Sequence, residues 1–332
     1  MRIEMEGGKL ESVSLLRTLM IPLSLLVLIL TPVVSGCTDR TPEAMTLRIG
    51  VLPILDALPL YVAESEGYFA EAGVQVTLVP VASAAERDQL LQAGQLDGVI
   101  NDLVALALYN REGSRLVGVR YAMQATSAIP QFRILVAGNT DIIEPAQLRG
   151  VQIGISQGTV IEYVTERLLT AEGLAVTEVV GLAVPKIPDR LALLEAGQIA
   201  AATLPEPLAS LAVQQGARVI LDDTRHPEFS CSVFAFRREV TTAQPEAIRG
   251  FLAAIERASS QINGDKTRWD GMLSSQNLVP PSMLGTYALP DYPGATAPTR
   301  EQFEDVVQWL RVNELLNASV EYAEAIDSHF LP

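Results

Sequence analysis

One gapless shift of 103 residues lays Leu90-Leu91-Gln92-Ala93-Gly94-Gln95-Leu96 on Leu193-Leu194-Glu195-Ala196-Gly197-Gln198-Ile199. The register holds beyond that helix end: Gly113 meets Gly216, Arg115 meets Arg218, and apolar β-formers follow in both copies. Upstream, Ile49-Gly50-Val51 matches Ile153-Gly154-Ile155 at a shift of 104. Unrelated α/β segments share an Ala-Gly-Gln helix end by chance, but not a register sustained through a helix–strand–helix unit. The chain is therefore expected to contain two copies of one unit.

Within each copy, short apolar β-prone runs alternate with helical patterns, as in a parallel sheet flanked by helices. The first copy predicts strands at 47–52, 74–81, 96–101 and 115–121, with helices at 58–72, 84–95 and 103–112. The second predicts strands at 151–156, 199–204 and 217–221, with helices at 160–172, 188–198 and 208–216. Gly67 and Gly73 punctuate the first helix and its exit, where a left-handed cap suits glycine. From about residue 241 the pattern is helical, at 244–263, 266–275, 300–316 and 320–330, with proline-rich loops between.

Two related α/β lobes in one chain place a ligand between them, because strand C-termini and helix N-termini converge on the shared cleft. The short apolar runs 132–136 and 232–236 flank the second copy and read as the two crossover strands of a hinge. That makes lobe II an insertion at 136–233 and lobe I the combination of 46–135 and 234–332. Positions just after strand ends supply the candidate ligand contacts. In lobe I these are Leu55, Asp56, Ser83, Asn101 and Asp102; in lobe II, Gln157, Gly158, Thr159 and Glu206. Ser83 and Thr159 stand at helix starts, so each either caps its helix or helps aim backbone N–H groups at a ligand. These loops hold three carboxylates and no Lys or Arg. That favours a neutral or cationic ligand, such as a nitrogen heterocycle or amine, over a bare anion. Tyr61, Tyr121 and Tyr163 are the aromatic candidates for stacking on it, against the alternative of lobe packing.

The N-terminus reads as an export signal over 1–36: Arg2, Lys9 and Arg17, an apolar run over 19–34 interrupted by Pro22 and Pro32, then Ser35 and Gly36 before Cys37. That run is shorter than the roughly 20 residues a spanning helix needs. The polar segment 37–45 reads as a tether. The exported remainder is too long for one typical core and suits two domains. The chain carries 39 acidic and 24 basic residues, a formal charge of −15, which argues against a nucleic-acid or anionic-lipid surface. Its two histidines, His226 and His329, lie in separate segments outside the cleft loops. Metal clusters and histidine-dependent triads therefore have little material, and no cofactor is expected.

Val34-Ser35-Gly36-Cys37 resembles the lipobox of bacterial lipoproteins, with valine where leucine is usual, which implies acylation of Cys37. Leu60-Tyr61-Val62-Ala63, the run Glu66-Gly67-Tyr68-Phe69-Ala70-Glu71-Ala72-Gly73-Val74-Gln75-Val76, then Gln92-Ala93-Gly94-Gln95-Leu96-Asp97-Gly98 and Glu206-Pro207 carry a second resemblance. They are similar to hallmarks of ABC-transporter solute-binding proteins of the nitrate, sulfonate, taurine and thiamine-precursor group, over most of the mature chain. The resemblance implies an α/β, type II periplasmic-binding-protein fold with two lobes on a two-strand hinge. It further implies a monomer held by lipid on the extracytoplasmic face of the cell membrane. Such a protein captures a small molecule, here a neutral or cationic heterocycle or amine such as a thiamine precursor in preference to a sulfonate- or nitrate-type anion, and delivers it to an ABC permease with its cytosolic ATPase. Two alternatives stay open. One is an enzyme of the same fold, resembling pyrimidine-synthesising or menaquinone-pathway enzymes, with Asp102 and Glu206 as its acid–base pair. The other is a lipoprotein sensor.

Overall fold

The structure, a computed structural model, describes residues 45–332. The signal over 1–36, Cys37 and all of the tether but its last residue lie outside the described residues. That last residue, Met45, already pairs with Val74 as the start of a strand.

In chain order the first half runs β1 (Met45–Val51), α1 (Leu58–Ser65), α2 (Tyr68–Glu71), β2 (Val74–Pro80), α3 (Ala84–Gln92), β3 (Gly98–Asp102), α4 (Leu103–Tyr109) and β4 (Leu116–Gln124). The second half runs β5 (Phe132–Val136), β6 (Gln152–Ile155), α5 (Val160–Ala171), β7 (Val180–Ala183), α6 (Ile187–Glu195), β8 (Ala201–Pro205), α7 (Leu208–Gln214) and β9 (Arg218–Asp222). Then follow β10 (Cys231–Arg237), α8 (Arg238–Ala243), α9 (Pro245–Gly264), α10 (Asp270–Ser275), α11 (Arg300–Val312) and α12 (Tyr322–Ala325).

The strands form two five-stranded sheets with matching orders, β2-β1-β3-β10-β4 and β7-β6-β8-β5-β9. In each sheet one strand is antiparallel to both neighbours, β10 in the first and β5 in the second. The repeat is visible at single side chains. A Cβ at Gly50 would sit 2.6 Å from Leu96 Cδ1, and one at Gly154 would sit 2.9 Å from Ile199 Cδ1. Leu96 and Ile199 are themselves repeat mates, so both glycines let the same helix-exit residue close on the sheet.

Four expectations change. The helix predicted over 58–72 breaks at Gly67, whose φ of +76° ends one backbone ladder before α2 begins. Strand β7 was not foreseen: it is a half-exposed edge strand containing Gly181, without apolar alternation. The helix predicted over 320–330 shrinks to α12, because Ile326 bridges to Gly118 and the Asp327 amide donates to the Gly118 carbonyl (2.9 Å), drawing the chain onto the edge of β4. Finally, 132–136 and 232–236 are interior strands. β5 lies wholly in the second sheet and β10 wholly in the first, so cuts at 135/136 and 233/234 would divide each of them. The crossovers are the segments before them, 125–131 and 223–230. They are laced together by Asp223, which is fully buried and accepts from the Gln131 (2.9 Å) and Phe132 (3.0 Å) amides.

Among the described residues, three apolar clusters hold the lobes. One lies beneath the first sheet under α1 and α9, and one lies within the second lobe. The third is continuous from α4 and β10 through α11 to α5 and β6. Polar ties reinforce that seam: Asp305 on α11 accepts from Arg167 Nε (2.7 Å) and the Tyr163 hydroxyl (2.8 Å), and Trp309 Nε1 donates to Glu166 (2.6 Å). Although α11 follows the return to lobe I, its polar face bonds to lobe II.

Candidate functional site

A cavity of about 1370 Å³ runs along α3 and α4 of the first lobe and reaches the second lobe where β3 and β6 end and β10 begins. It brings together Asn101 and Asp102 from the first lobe and Gln157, Gly158 and Thr159 from the second, five of the sequence-predicted contacts. Leu55, Asp56, Ser83 and Glu206 are not among its lining residues.

Four of the five have a local reason to be there. Asp102 is the N-cap of α4, its Oδ1 accepting from the Ala105 amide at 2.8 Å. Burial raises its carboxyl pKa, partly offset by that amide and by Arg87. Asn101 is 3% exposed; its Oδ1 accepts from the Asp102 amide (3.1 Å), while Nδ2 has no hydrogen-bond partner among the described residues. Thr159 caps α5, accepting from the Ile161 amide (3.2 Å) and donating to the Ser156 carbonyl (2.7 Å). Gly158, at φ +70°, turns its amide onto Glu162 Oε2 (2.6 Å), so that N–H is already engaged.

The four outside the wall have different partners. Leu55 is buried and offers its carbonyl to the Tyr292 hydroxyl (2.7 Å). Asp56 accepts from the hydroxyl of Ser232, a residue of the cavity wall, and burial raises the Asp56 pKa. Ser83 is an exposed cap of α3, accepting from the Glu86 amide (3.1 Å). Glu206 stands 2.7 Å from Arg133 Nε, close enough for charge pairing though misaligned for a hydrogen bond. Tyr287 also bonds to Glu206, and burial outweighs both partners in raising its pKa. Asp102 and Glu206, the acid–base pair of the enzyme alternative, therefore do not share the cavity. Tyr61 packs against the first core. Tyr121 and Tyr163 are buried and line a second cavity of about 570 Å³ beside α11.

Sequence reasoning missed Arg87, Ser156 and Ser232 in the wall. Arg87 lies one turn inside α3, beyond the strand-end loops. It is 5% exposed and donates to the Ile100 carbonyl (3.0 Å) and Asp88 (2.9 Å). The signal for it was present: the same 103-residue shift puts Arg87 on Arg190, and both are buried.

Comparison with known proteins fits this geometry. The alkanesulfonate-binding protein SsuA of Xanthomonas axonopodis pv. citri, solved bound to MOPS, superimposes with a TM-score of 0.69 at 19% identity, over 85% of this chain and 98% of that one. The periplasmic nitrate-binding protein NrtA of Synechocystis PCC 6803 gives 0.64 at 16% identity, over 87% of each chain. The bicarbonate-binding protein CmpA of Synechococcus elongatus is 35% identical over 71 residues, spanning 20% of this chain and 15% of CmpA. The model of the NMT1-like family matches residues 40–271. The chain thus has the two-lobed periplasmic-binding-protein fold, and it belongs to the NMT1-like family.

Proposed function

We propose that this protein is the extracytoplasmic solute-binding component of an ABC-type importer and that it captures a small oxyanion, such as a sulfonate, nitrate or bicarbonate, between its lobes. The observation that carries this reading is the donor set of the cavity. The Asn101 Nδ2 has no hydrogen-bond partner among the described residues and Arg87 stands in the same wall, whereas Ser156 and Ser232 line the cavity with their hydroxyl protons already given to the Pro185 carbonyl and to Asp56. The expectation of a neutral or cationic ligand rested on three carboxylates. One of them now caps α4, one is held by Ser232, and one faces Arg133. Burial raises the pKa of all three, which further weakens their claim on a cation. The relatives named for sulfonate, nitrate and bicarbonate support the same class.

Mechanistically, an anion touching both walls stabilises the closed arrangement relative to an open one by its differential affinity, and the crossovers 125–131 and 223–230 absorb the rotation. Acylation of Cys37 tethers the lobes within about 30 Å of the membrane, since eight residues to Met45 span at most about 3.6 Å each. That is where a permease waits.

The test is thermal unfolding of the exported chain with MOPS, methanesulfonate, nitrate, bicarbonate, thiamine precursors and polyamines. One anion class should raise the melting temperature saturably, with a gain of about 2.7 kcal/mol at a hundredfold excess over Kd. A shift with the cations or heterocycles alone would overturn the assignment. Cys37→Ser should move the protein from the membrane to the soluble fraction; unchanged fractionation would reject lipidation.

A further inference from the structure

Three arginines are buried among the described residues: Arg87, Arg120 and Arg190. Two face a carboxylate, Arg87 at 2.9 Å from Asp88 and Arg120 at 2.6 Å from Glu256. Arg190, on α6 and with no exposed surface, faces none among the described residues. Its stem crosses β6 at Gly154, where a Cβ would lie 3.2 Å from Arg190 Cγ and Cδ. Its Nη1 donates to the Ser156 hydroxyl oxygen and the Val184 carbonyl, both at 3.0 Å, and Nε and Nη2 have no hydrogen-bond partner among the described residues. Ser156 in turn donates to the Pro185 carbonyl (3.0 Å). One guanidinium therefore ties the ends of β6 and β7 together immediately behind the cavity wall, to which Ser156 and Pro185 belong.

An isolated buried charge is costly, and removing it in favour of a well-packed apolar side chain is commonly neutral or stabilising. Burial lowers the Arg190 pKa to about 10, so the cation persists at neutral pH. Its cost is offset when a negative charge enters the cavity on the other side of Ser156.

We propose that Arg190 is a specificity-determining positioning residue: it sets the Ser156 hydroxyl in the second lobe's wall and supplies, from behind that wall, a positive charge whose counter-charge is the bound oxyanion. This rests on the oxyanion reading given above. Its repeat mate Arg87 stands in the wall of the first lobe, so closure brings repeat-equivalent cations to bear on one anion from opposite sides.

The test uses Arg190→Met and Arg190→Lys in the full chain, with affinity measured by calorimetry for whichever of MOPS, methanesulfonate, nitrate or bicarbonate the wild type binds tightest. Ligand-free melting temperatures are measured in parallel. Arg190→Met should bind at least tenfold more weakly while its ligand-free melting temperature stays level or rises, and Arg190→Lys should retain most of the affinity. Wild-type affinity in Arg190→Met overturns the inference and leaves the oxyanion reading standing. Equal loss of affinity in both variants, with a fall in ligand-free melting temperature, also overturns it, because that is the behaviour of a purely structural residue. A wild type that binds no anion overturns the oxyanion reading itself.

Discussion

Replacing Asn101 by alanine separates ligand binding from folding. In the ligand-free protein two consequences oppose each other. The bond from the Asp102 amide to Asn101 Oδ1 is lost, at a cost of about 1 kcal/mol, while a buried donor without a partner, itself costing about 1–3 kcal/mol, is removed. Stability should thus change little. Binding has no such compensation. A hydrogen bond from Nδ2 to a charged acceptor is worth about 1.5–3 kcal/mol, which is a loss of roughly ten- to 150-fold in affinity. Asn101→Asp should weaken oxyanion binding further, because it sets a carboxylate against the ligand. Calorimetric titration with MOPS, paired with ligand-free thermal unfolding, reads both quantities. If Asn101→Ala binds within twofold of wild type at unchanged stability, or Asn101→Asp binds the anion more tightly, the cavity donors do not face the ligand and the argument fails.

Three further outcomes follow from the packing. Burial pushes the Asp223 carboxyl from 3.8 up to about 6, so its contribution to stability is complete below about pH 4 and is lost as pH rises through 6, by at most about 3 kcal/mol. Asp223→Asn should remove that part of the slope in urea denaturation between pH 4 and 7, and identical slopes would refute the assignment. Gly154→Ala forces a methyl to within 2.9 Å of Ile199 and 3.2 Å of Arg190, so a loss of about 1–3 kcal/mol is expected by chemical denaturation, whereas a neutral result would show that α6 can move away. Asp305→Ala leaves the buried Tyr163 hydroxyl unpaired and should cost about 1–3 kcal/mol. Tyr163→Phe in the same background should recover part of it, and additive losses would show that the two groups do not interact.

The sequence alone determined the two-copy architecture, because strand and helix periodicity is local and the register of the two copies recurs at a fixed shift of 103–104 residues. It also placed Asn101, Asp102, Gln157, Gly158 and Thr159 at the cleft, since residues following parallel strands share one edge of a sheet whatever the rest of the chain does. The charge seen by a ligand was decided by tertiary structure. Asp56 meets Ser232 across 176 residues of chain, and Glu206 meets Arg133 across two strands of one sheet. Whether a carboxylate faces a ligand as a free charge depends on such partners, which no local pattern specifies. The membership of β5 and β10 in opposite sheets, and the reach of the Arg190 guanidinium past Gly154 to Ser156, were likewise settled only when long-range packing brought distant backbone and side chains together.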